Sequence, residues 1–274
     1  DRIGLVIRDN NGEYVLINGN QIVMIFLNYL MTRNTELGTL TGNEYIVKTI
    51  VTTETIRTIA EAQHIKMYDC FTGFKWIANV MRENEGKARY LGGGEESYGF
   101  LAEDFVRDKD SVSAISLMAE IAAWAKDKGL NMTDMLIDIY MKYGFSREKG
   151  ISLVRKGKSG AEEIIALMKQ FRENPPKEIA GSPVVTVKDF QSLVETNVVT
   201  GETKKLDMPA TSNVLQYYTA DRTKVSVRPS GTEPKIKFYI EVHDTLASAD
   251  EYKATEARAD EKIDRIAKEF GITK

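Results

Sequence analysis

A nearly uninterrupted apolar run at residues 45–51 constrains the fold of this chain more than any other segment. Strands of this composition are buried on both faces, and they belong to parallel sheets that helices cover on each side. Helical patterns at 53–63 and 73–83 alternate with strand patterns at 65–68 and 88–91. Because parallel strands need crossover connections, this alternation predicts an α/β layer.

The organisation changes near residues 174–182, where two prolines and a Gly-Ser-Pro sequence indicate a domain boundary. Before this boundary the spacing of apolar residues predicts amphipathic helices at 111–128, 132–143 and 159–171. Beyond it the patterns predict strands at 184–187, 214–219, 224–228 and 236–242, and a helix at 248–270. We therefore expect a mixed-sheet three-layer α/β domain at 18–178, followed by a smaller α+β domain at 179–274 that combines an antiparallel sheet with helices.

The first residues predict a hairpin whose strands lie at 3–7 and 14–17, joined by the turn sequence Asp-Asn-Asn-Gly. The sequence opens on Asp1 and Arg2, with no methionine, directly before the first strand. A natural N-terminus rarely begins in the middle of an element. We therefore expect the chain to be a fragment of a longer protein, with 1–17 as the tail of a preceding domain.

Composition and charge exclude several classes of function. A net charge of −3 does not favour bulk electrostatic binding to nucleic acid. The single Cys70 cannot form an intramolecular disulfide, and with only His64 and His243 beside it a zinc site is not expected. No apolar run approaches the roughly 20 residues that span a bilayer. These features predict a soluble cytoplasmic protein with neither a nucleic-acid nor a membrane partner.

A ten-residue run at 228–237, Arg-Pro-Ser-Gly-Thr-Glu-Pro-Lys-Ile-Lys, lies between two predicted strands. A guanidinium group can bind two phosphate oxygens at once, and Gly231 lets the backbone curl so that its N–H groups converge on an anion. Ser230 and Thr232 would add hydroxyl groups. The run therefore predicts a phosphate-binding turn, and an ordinary polar hairpin is the alternative.

A second loop follows the strand at 88–91 with the sequence Gly-Gly-Gly-Glu-Glu-Ser-Tyr-Gly. Glycines let a ligand approach the backbone, and the carboxylates of Glu95 and Glu96 beside the hydroxyl of Ser97 suit the hydroxyl groups of a sugar. The loop falls at the carboxyl end of a strand, where α/β sheets bind ligands. A metal site and a solvated turn are the alternatives.

Lys75 lies at the start of the helix predicted at 73–83. A helix N-terminus favours anions, so Lys75 could hold a phosphate or exchange a proton. Taken alone, this residue is better explained as a surface lysine. Asp1 alone cannot form a metal site, because Mg²⁺ needs several oxygen ligands in octahedral geometry.

Four segments resemble motifs of the α-D-phosphohexomutases, the family of phosphoglucomutases and phosphomannomutases, in their order and approximate spacing. They are Asp-Arg at 1–2, Thr-Gly-Phe-Lys at 72–75, Gly-Glu-Glu-Ser-Tyr-Gly at 94–99 and Arg-Pro-Ser-Gly-Thr-Glu-Pro-Lys at 228–235. The resemblance runs over essentially the whole chain. It implies the tail of a metal-binding second domain, followed by a complete third and fourth domain of a four-domain enzyme.

The resemblance also implies roles for individual residues. Asp1 resembles the last aspartate of a loop that holds Mg²⁺, and Arg2 resembles the arginine that follows it. Lys75 resembles a lysine near the reacting phosphate, and the resemblance implies that Lys75 and Arg2 are catalytic. Glu95 and Ser97 resemble the pair that binds sugar hydroxyls. The residues that resemble the grip on the non-reacting phosphate are Arg228, Ser230, Gly231, Thr232 and Lys235.

The implied chemistry moves a phosphoryl group between the 1- and 6-positions of a hexose phosphate, through a phosphoserine and a bisphosphorylated sugar. The serine and two further metal aspartates belong to domains that would precede this chain. We therefore expect an incomplete Mg²⁺ site and an inactive fragment, whose partners are a hexose phosphate and the missing N-terminal domains. A stand-alone sugar-phosphate-binding module and, among the enzymes, a phosphopentomutase are the alternatives.

Overall fold

The computed structural model of the chain describes residues 1–155, 157–231 and 233–272. Residue contacts divide it into two compact units. The first unit contains Asp1–Phe145 and Leu246–Tyr252, and the second contains Ser146–Thr245 and the segment from Lys253 onward. The bounds of these contact units differ from those of the predicted domains, 1–17, 18–178 and 179–274. The domain bounds stay a prediction.

The first unit contains a separate hairpin and a four-stranded sheet. Its strands are β1 (Leu5–Arg8), β2 (Tyr14–Ile17), β3 (Glu44–Thr49), β4 (Lys66–Cys70), β5 (Arg89–Gly94) and β6 (Phe100–Ala102). The sheet order is β4-β3-β5-β6, in which β3 pairs in parallel with β4 and β5, and β6 is antiparallel to β5. Every residue of β3 is buried, as the apolar run predicts.

Five helices accompany these strands. They are α1 (Gly19–Glu36), α2 (Thr55–Ala62), α3 (Phe74–Asn84), α4 (Ser111–Asp127) and α5 (Met132–Tyr143). The side chains of Asn18, Asp110 and Asn131 accept backbone N–H groups at the starts of α1, α4 and α5, which satisfies donors that a helix cannot pair internally.

The second unit is built on an eight-stranded sheet. Its strands are β7 (Phe145–Val154), β8 (Glu178–Ile179), β9 (Ser182–Asp189), β10 (Val194–Asn197), β11 (Thr203–Lys205), β12 (Leu215–Thr219), β13 (Lys224–Pro229) and β14 (Lys235–Asp244). The order is β11-β10-β9-β12-β13-β14-β7, with β8 paired to β9. Neighbouring strands from β9 to β14 pair antiparallel. Helices α6 (Gly157–Glu173) and α7 (Tyr252–Glu269) complete it, and a short 3₁₀ helix at Ala249–Glu251 precedes α7.

The architecture confirms the predicted fold class of an α/β domain with a mixed sheet followed by an α+β domain with an antiparallel sheet. Strand β7 was not predicted, because Arg147 and Lys149 interrupt its apolar pattern. Both cations pair with helix α7: Arg147 Nε lies 2.9 Å from Asp260 Oδ1, and Lys149 Nζ lies 2.8 Å from Asp264 Oδ1. Because these acidic partners lie more than a hundred residues away in the sequence, the sequence around β7 does not show that its cations are paired.

No helix in the described part of the chain is long and apolar enough to cross a membrane.

A buried ion pair joins β13 to β14. Lys224 Nζ lies 2.7 Å from Glu241 Oε2, and the two side chains are 1% and 3% exposed. His243 Nε2 lies 3.1 Å from the other carboxylate oxygen of Glu241. Removing a single partner of such a pair leaves a buried charge without its counter-ion, which costs about 3–5 kcal/mol.

We expect Lys224→Met to lower the free energy of unfolding by about 3–5 kcal/mol because it leaves the Glu241 carboxylate without its ammonium partner. Urea unfolding measures this loss. Lys204→Met is the matched control, since Lys204 is 71% exposed in its pair with Glu195 and its removal costs less than about 1 kcal/mol. Equal losses for the two variants would contradict the expectation.

Asp221 fixes the turn between β12 and β13. Its carboxylate accepts hydrogen bonds from Lys262 Nζ at 2.7 Å, from Thr219 Oγ1 at 2.5 Å and from Thr223 Oγ1 at 2.9 Å. Burial opposes ionisation of Asp221, but these hydrogen bonds outweigh it and hold the pKa of its carboxyl group well below the usual range.

Because folding lowers this pKa, Asp221 stabilises the fold fully above the pKa of an unfolded aspartate, about 3.9, and loses that contribution as pH falls further. We therefore expect the difference in unfolding free energy between the wild-type chain and Asp221→Asn to shrink as pH falls from about 5 to about 2. Urea titrations at several pH values measure it. Asp207→Asn, at an exposed loop position, should follow the wild-type pH dependence, and a pH-independent Asp221→Asn difference would refute the assignment.

Candidate functional site

The loop at 95–99 connects β5 to β6 at the carboxyl end of the parallel strands. Glu95 N donates to Gly99 O at 2.9 Å and Tyr98 N donates to Glu95 O at 3.2 Å, so the backbone closes a tight turn. Tyr98 has a φ of 73°, in the left-handed region that residues with side chains rarely adopt. The structure thus places the predicted sugar-binding loop where α/β sheets bind their ligands.

Glu95 is only 5% exposed and caps helix α3. Its Oε1 accepts the backbone N–H of Gly73 at 2.8 Å. Gly73 precedes α3 with a φ of 106°, a conformation that favours glycine. One carboxylate oxygen of Glu95 therefore binds the start of the helix that carries Lys75, and the contact brings the two predicted segments together.

Lys75 and Ser97 both reach the surface of the first unit. Lys75 is exposed on the first turn of α3, with its Nζ 5.4 Å from the ring centre of Trp76. Ser97 is half-buried on the loop. Through the Glu95 contact, the structure brings Lys75, Glu95 and Ser97 to the same end of the four-stranded sheet.

Helix α1 approaches the loop from another side. A Cβ atom at Gly19 would lie 2.0 Å from the carbonyl oxygen of Glu96 and 2.9 Å from Tyr98 N. Any side chain at this position would therefore displace the loop backbone. The glycine is required by this close approach, since only a residue without Cβ fits there.

Lys109 was not predicted from the sequence as a site residue. Its Nζ lies 3.0 Å from Asp1 Oδ2 and 3.2 Å from Asp108 Oδ1, and its side chain is 13% exposed. A Cβ at Gly99 would meet Lys109 Cδ at 2.8 Å, so the lysine stem packs over the loop. In the sequence, Lys109 belongs to a mixed-charge run with no distinguishing motif.

The predicted metal ligand Asp1 lies beside this lysine. Asp1 and Arg2 are exposed, and Ile3 N donates to Tyr98 O at 3.2 Å, which holds the first residues against the loop. Among the described residues no group of three or more His, Cys, Asp or Glu side chains could hold a metal ion. A single carboxylate paired with an ammonium does not fit Mg²⁺, which takes several oxygen ligands.

In the second unit the predicted phosphate-binding turn joins β13 to β14. Ser230 N donates to Lys235 O at 2.8 Å and Lys235 N donates to Glu233 O at 2.7 Å. Lys235 Nζ pairs with Glu233 Oε2, and this hydrogen bond lowers the pKa of the Glu233 carboxyl group. Thr232 lies outside the described residues.

Two cations oppose each other beside this turn. Arg228 of β13 is half-buried and is directly paired in register with Lys237 of β14. Like charges placed opposite each other across two strands destabilise a sheet. A bound anion would relieve this repulsion.

The turn also borders an open depression of about 410 Å³. Its lining residues are Gly157, Ala161, Ser230, Gly231, Glu233 and Pro234. Arg155 N donates to Pro234 O at 2.9 Å, which ties the turn to the segment before α6. The contribution of α6 was not predicted from the sequence, because this helix carries no recognisable anion motif. The run at 228–237 contains Glu233 but does not indicate that its carboxylate pairs with Lys235.

Comparison with known proteins identifies both halves of the chain. Residues 18–143 match the family model described as phosphoglucomutase/phosphomannomutase, alpha/beta/alpha domain III, and residues 177–259 match the phosphoglucomutase/phosphomannomutase C-terminal domain. The phosphoglucomutase of Staphylococcus epidermidis is 35% identical over 240 residues, which cover 88% of this chain and 43% of that protein. The phosphoglucomutase of Staphylococcus haemolyticus is 33% identical over 243 residues, covering 89% and 43%.

Solved structures share the fold. The phosphoglucomutase pp63/parafusin of Paramecium matches with a TM-score of 0.57 at 15% identity, over 93% of this chain and 43% of that chain. A phosphoglucomutase/phosphomannomutase family protein of Burkholderia thailandensis matches with a TM-score of 0.53 at 18% identity, over 98% and 44%. The chain thus spans less than half the length of each of these four relatives. Since two models of one family together match most of its residues, the chain belongs to the phosphoglucomutase/phosphomannomutase family.

Proposed function

We propose that this chain carries the sugar- and phosphate-recognition elements of a phosphohexomutase, which moves a phosphoryl group between the 1- and 6-positions of a hexose phosphate. The observation that carries the proposal is the pair of cations, Arg228 and Lys237, which face each other beside the Ser230–Gly231 turn. Membership in the family supports the same reading.

We assign to the second unit the binding of the substrate phosphate that does not react. Arg228 supplies a planar guanidinium that can bind two phosphate oxygens, and Gly231 leaves the backbone open to an anion. Ser230 and Thr232 are assigned as hydroxyl donors and Lys235 as an assisting cation. The negative charge of Glu233 beside Lys235 favours a contact in which Lys235 neutralises phosphate only in part.

We assign to the first unit the binding of the sugar hydroxyls and of the reacting phosphate. Glu95 Oε1 accepts from Gly73 N, so we assign Oε2 to a sugar hydroxyl, with Ser97 as its neighbour on the loop. Lys75, exposed at the N-terminus of α3, is assigned to neutralise charge on the reacting phosphate or to transfer a proton. Phosphoryl transfer depends chiefly on such positioning and charge neutralisation.

The phosphoryl donor in this scheme is a phosphoserine in the part of the family's length that this chain does not span. Arg2 is assigned a catalytic position near this phosphoserine. The assignment of Asp1 to Mg²⁺ stays a prediction from the resemblance, since the donor set among the described residues does not fit the ion. A cytoplasmic location likewise stays a prediction.

We expect the purified chain to bind glucose 1-phosphate, and we expect Arg228→Ala to weaken that binding. A hydrogen bond to a charged group contributes about 1.5–3 kcal/mol, so the dissociation constant should rise about tenfold to a hundredfold. Isothermal titration calorimetry measures it, with mannose 1-phosphate and ribose 1-phosphate as competing candidates. Arg265→Ala, at an exposed position of α7, is the control and should bind normally. Unchanged affinity in Arg228→Ala would remove this residue from the site.

We also expect the chain to lack mutase activity by itself, because the proposed phosphoserine is not among its motifs. A coupled assay that follows glucose 6-phosphate should show no turnover of glucose 1-phosphate, and added glucose 1,6-bisphosphate should not restore it. Turnover at the rate of an intact phosphoglucomutase would refute this part of the proposal. The binding prediction is independent of this result.

A further inference from the structure

We infer that Thr49, Thr52 and Glu96 form a closed ring of hydrogen bonds that positions the 95–99 loop for sugar recognition. Its effect on ligand binding rests on the proposed function, whereas the ring itself can be tested without a ligand. Glu96 is then a positioning residue: it holds the backbone next to Ser97 and is not assigned a contact with the sugar.

The atoms of the ring lie within hydrogen-bonding distance of one another. Thr49 Oγ1 donates to Glu96 Oε2 at 3.1 Å, the two threonine hydroxyls are 2.8 Å apart, and Glu96 N donates to Thr52 Oγ1 at 3.2 Å. Both threonines are fully buried, at 0% exposure.

The number of protons sets the direction of the ring. Each hydroxyl has one proton to donate. Thr52 Oγ1 lies 3.5 Å from the same carboxylate oxygen of Glu96, so the shorter contact from Thr49 Oγ1 at 3.1 Å makes Thr49 the donor to the carboxylate. The bond between the two hydroxyls then runs from Thr52 to Thr49. Thr52 then accepts the Glu96 N–H, and each threonine donates once and accepts once within the ring. The carboxylate of Glu96 is the acceptor that closes it.

The backbone of Thr49 and Thr52 contacts a buried ion-pair network. Lys48 is 0% exposed, and its Nζ lies 2.9 Å from Glu54 Oε1 and 2.8 Å from Asp69 Oδ1. The same ammonium lies 3.4 Å from the carbonyl oxygens of Thr49 and Thr52. The ring is therefore attached to the end of β3, the fully buried strand of the sheet.

The ring acts on the loop at one residue, while other contacts hold its neighbours. Glu95 is held at the start of α3 by Gly73, and the Glu96 carbonyl group abuts Gly19 of α1. Ser97 follows directly, so its hydroxyl takes its position from the anchored residue before it. If the ring opens, the sugar contacts of the loop should weaken while the phosphate turn of the second unit keeps its structure.

The first experiment needs no ligand. In the wild-type chain the amide proton of Glu96 should exchange slowly with solvent, as measured by NMR. Thr52→Val removes the acceptor and should speed that exchange about tenfold or more, whereas Thr52→Ser keeps the hydroxyl and should leave it close to wild type. Exchange that is equally fast in the wild-type chain and Thr52→Val would overturn the ring. Unfolding midpoints confirm that each variant is folded.

The second experiment compares glucose 1-phosphate with inorganic phosphate. Glu96→Ala should raise the dissociation constant for glucose 1-phosphate about tenfold, and Glu96→Gln, which keeps an oxygen acceptor, should restore most of the affinity. Inorganic phosphate, assigned to the second unit, should bind Glu96→Ala as it binds the wild type. Equal losses for both ligands would show general damage and overturn the positioning role, as would normal glucose 1-phosphate binding by Glu96→Ala.

The two experiments distinguish a failure of the proposed function from a failure of the hydrogen-bond ring. If the wild-type chain binds no hexose phosphate, the proposed function fails, and the exchange of the Glu96 amide still decides whether the ring exists. If the wild type binds and Thr52→Val changes neither exchange nor affinity, the ring fails and the proposed function stands.

Discussion

The first unit depends on one buried charge. The ammonium group of Lys48 is fully enclosed at the carboxyl end of β3, where it pairs with Glu54 and Asp69. A lone ammonium at this depth would cost several kcal/mol, so its two carboxylate partners are a condition for the sheet to close. Arg57 pairs with the same two carboxylates, which balances their charge. The network therefore fixes the turn after β3 relative to β4 and α2.

This constraint reaches the candidate site through hydrogen bonds. The carbonyl groups of Thr49 and Thr52 lie near the Lys48 ammonium, and their hydroxyls hold Glu96. The buried ammonium of Lys48 thereby helps to fix the position of the 95–99 loop. Loops that bind ligands are effective when a rigid scaffold fixes them, and here the scaffold is an ion-pair network at the end of a buried strand.

The sequence predicts the elements whose pattern is local, and it misses those held by distant partners. The apolar run at 45–51 becomes the fully buried β3, because burial on both faces needs only apolar side chains in succession. Strand β7 escapes prediction because Arg147 and Lys149 are satisfied by acids of α7. In the same way Lys109 has no motif of its own, and only folding brings it to Asp1 and Gly99. The sequence motifs single out Lys75, Glu95 and Ser97, whose roles stay a prediction, whereas the capping of α3 by Glu95 required the structure.

The adjacent carboxylates Glu95 and Glu96 show why sequence motifs alone understate the site. As neighbours in a loop they look equivalent, and two like charges so close together repel each other. The fold separates them by giving each a different set of donors. Glu95 binds the backbone N–H at the start of α3, where the helix dipole favours a negative charge, and Glu96 binds the hydroxyl of Thr49. Each carboxylate is thereby held by its own hydrogen-bond donor. On the proposed function, Lys75 on the first turn of α3 is assigned to a phosphate, and Ser97, between Glu96 and the turn at Tyr98, is assigned to the choice among sugars.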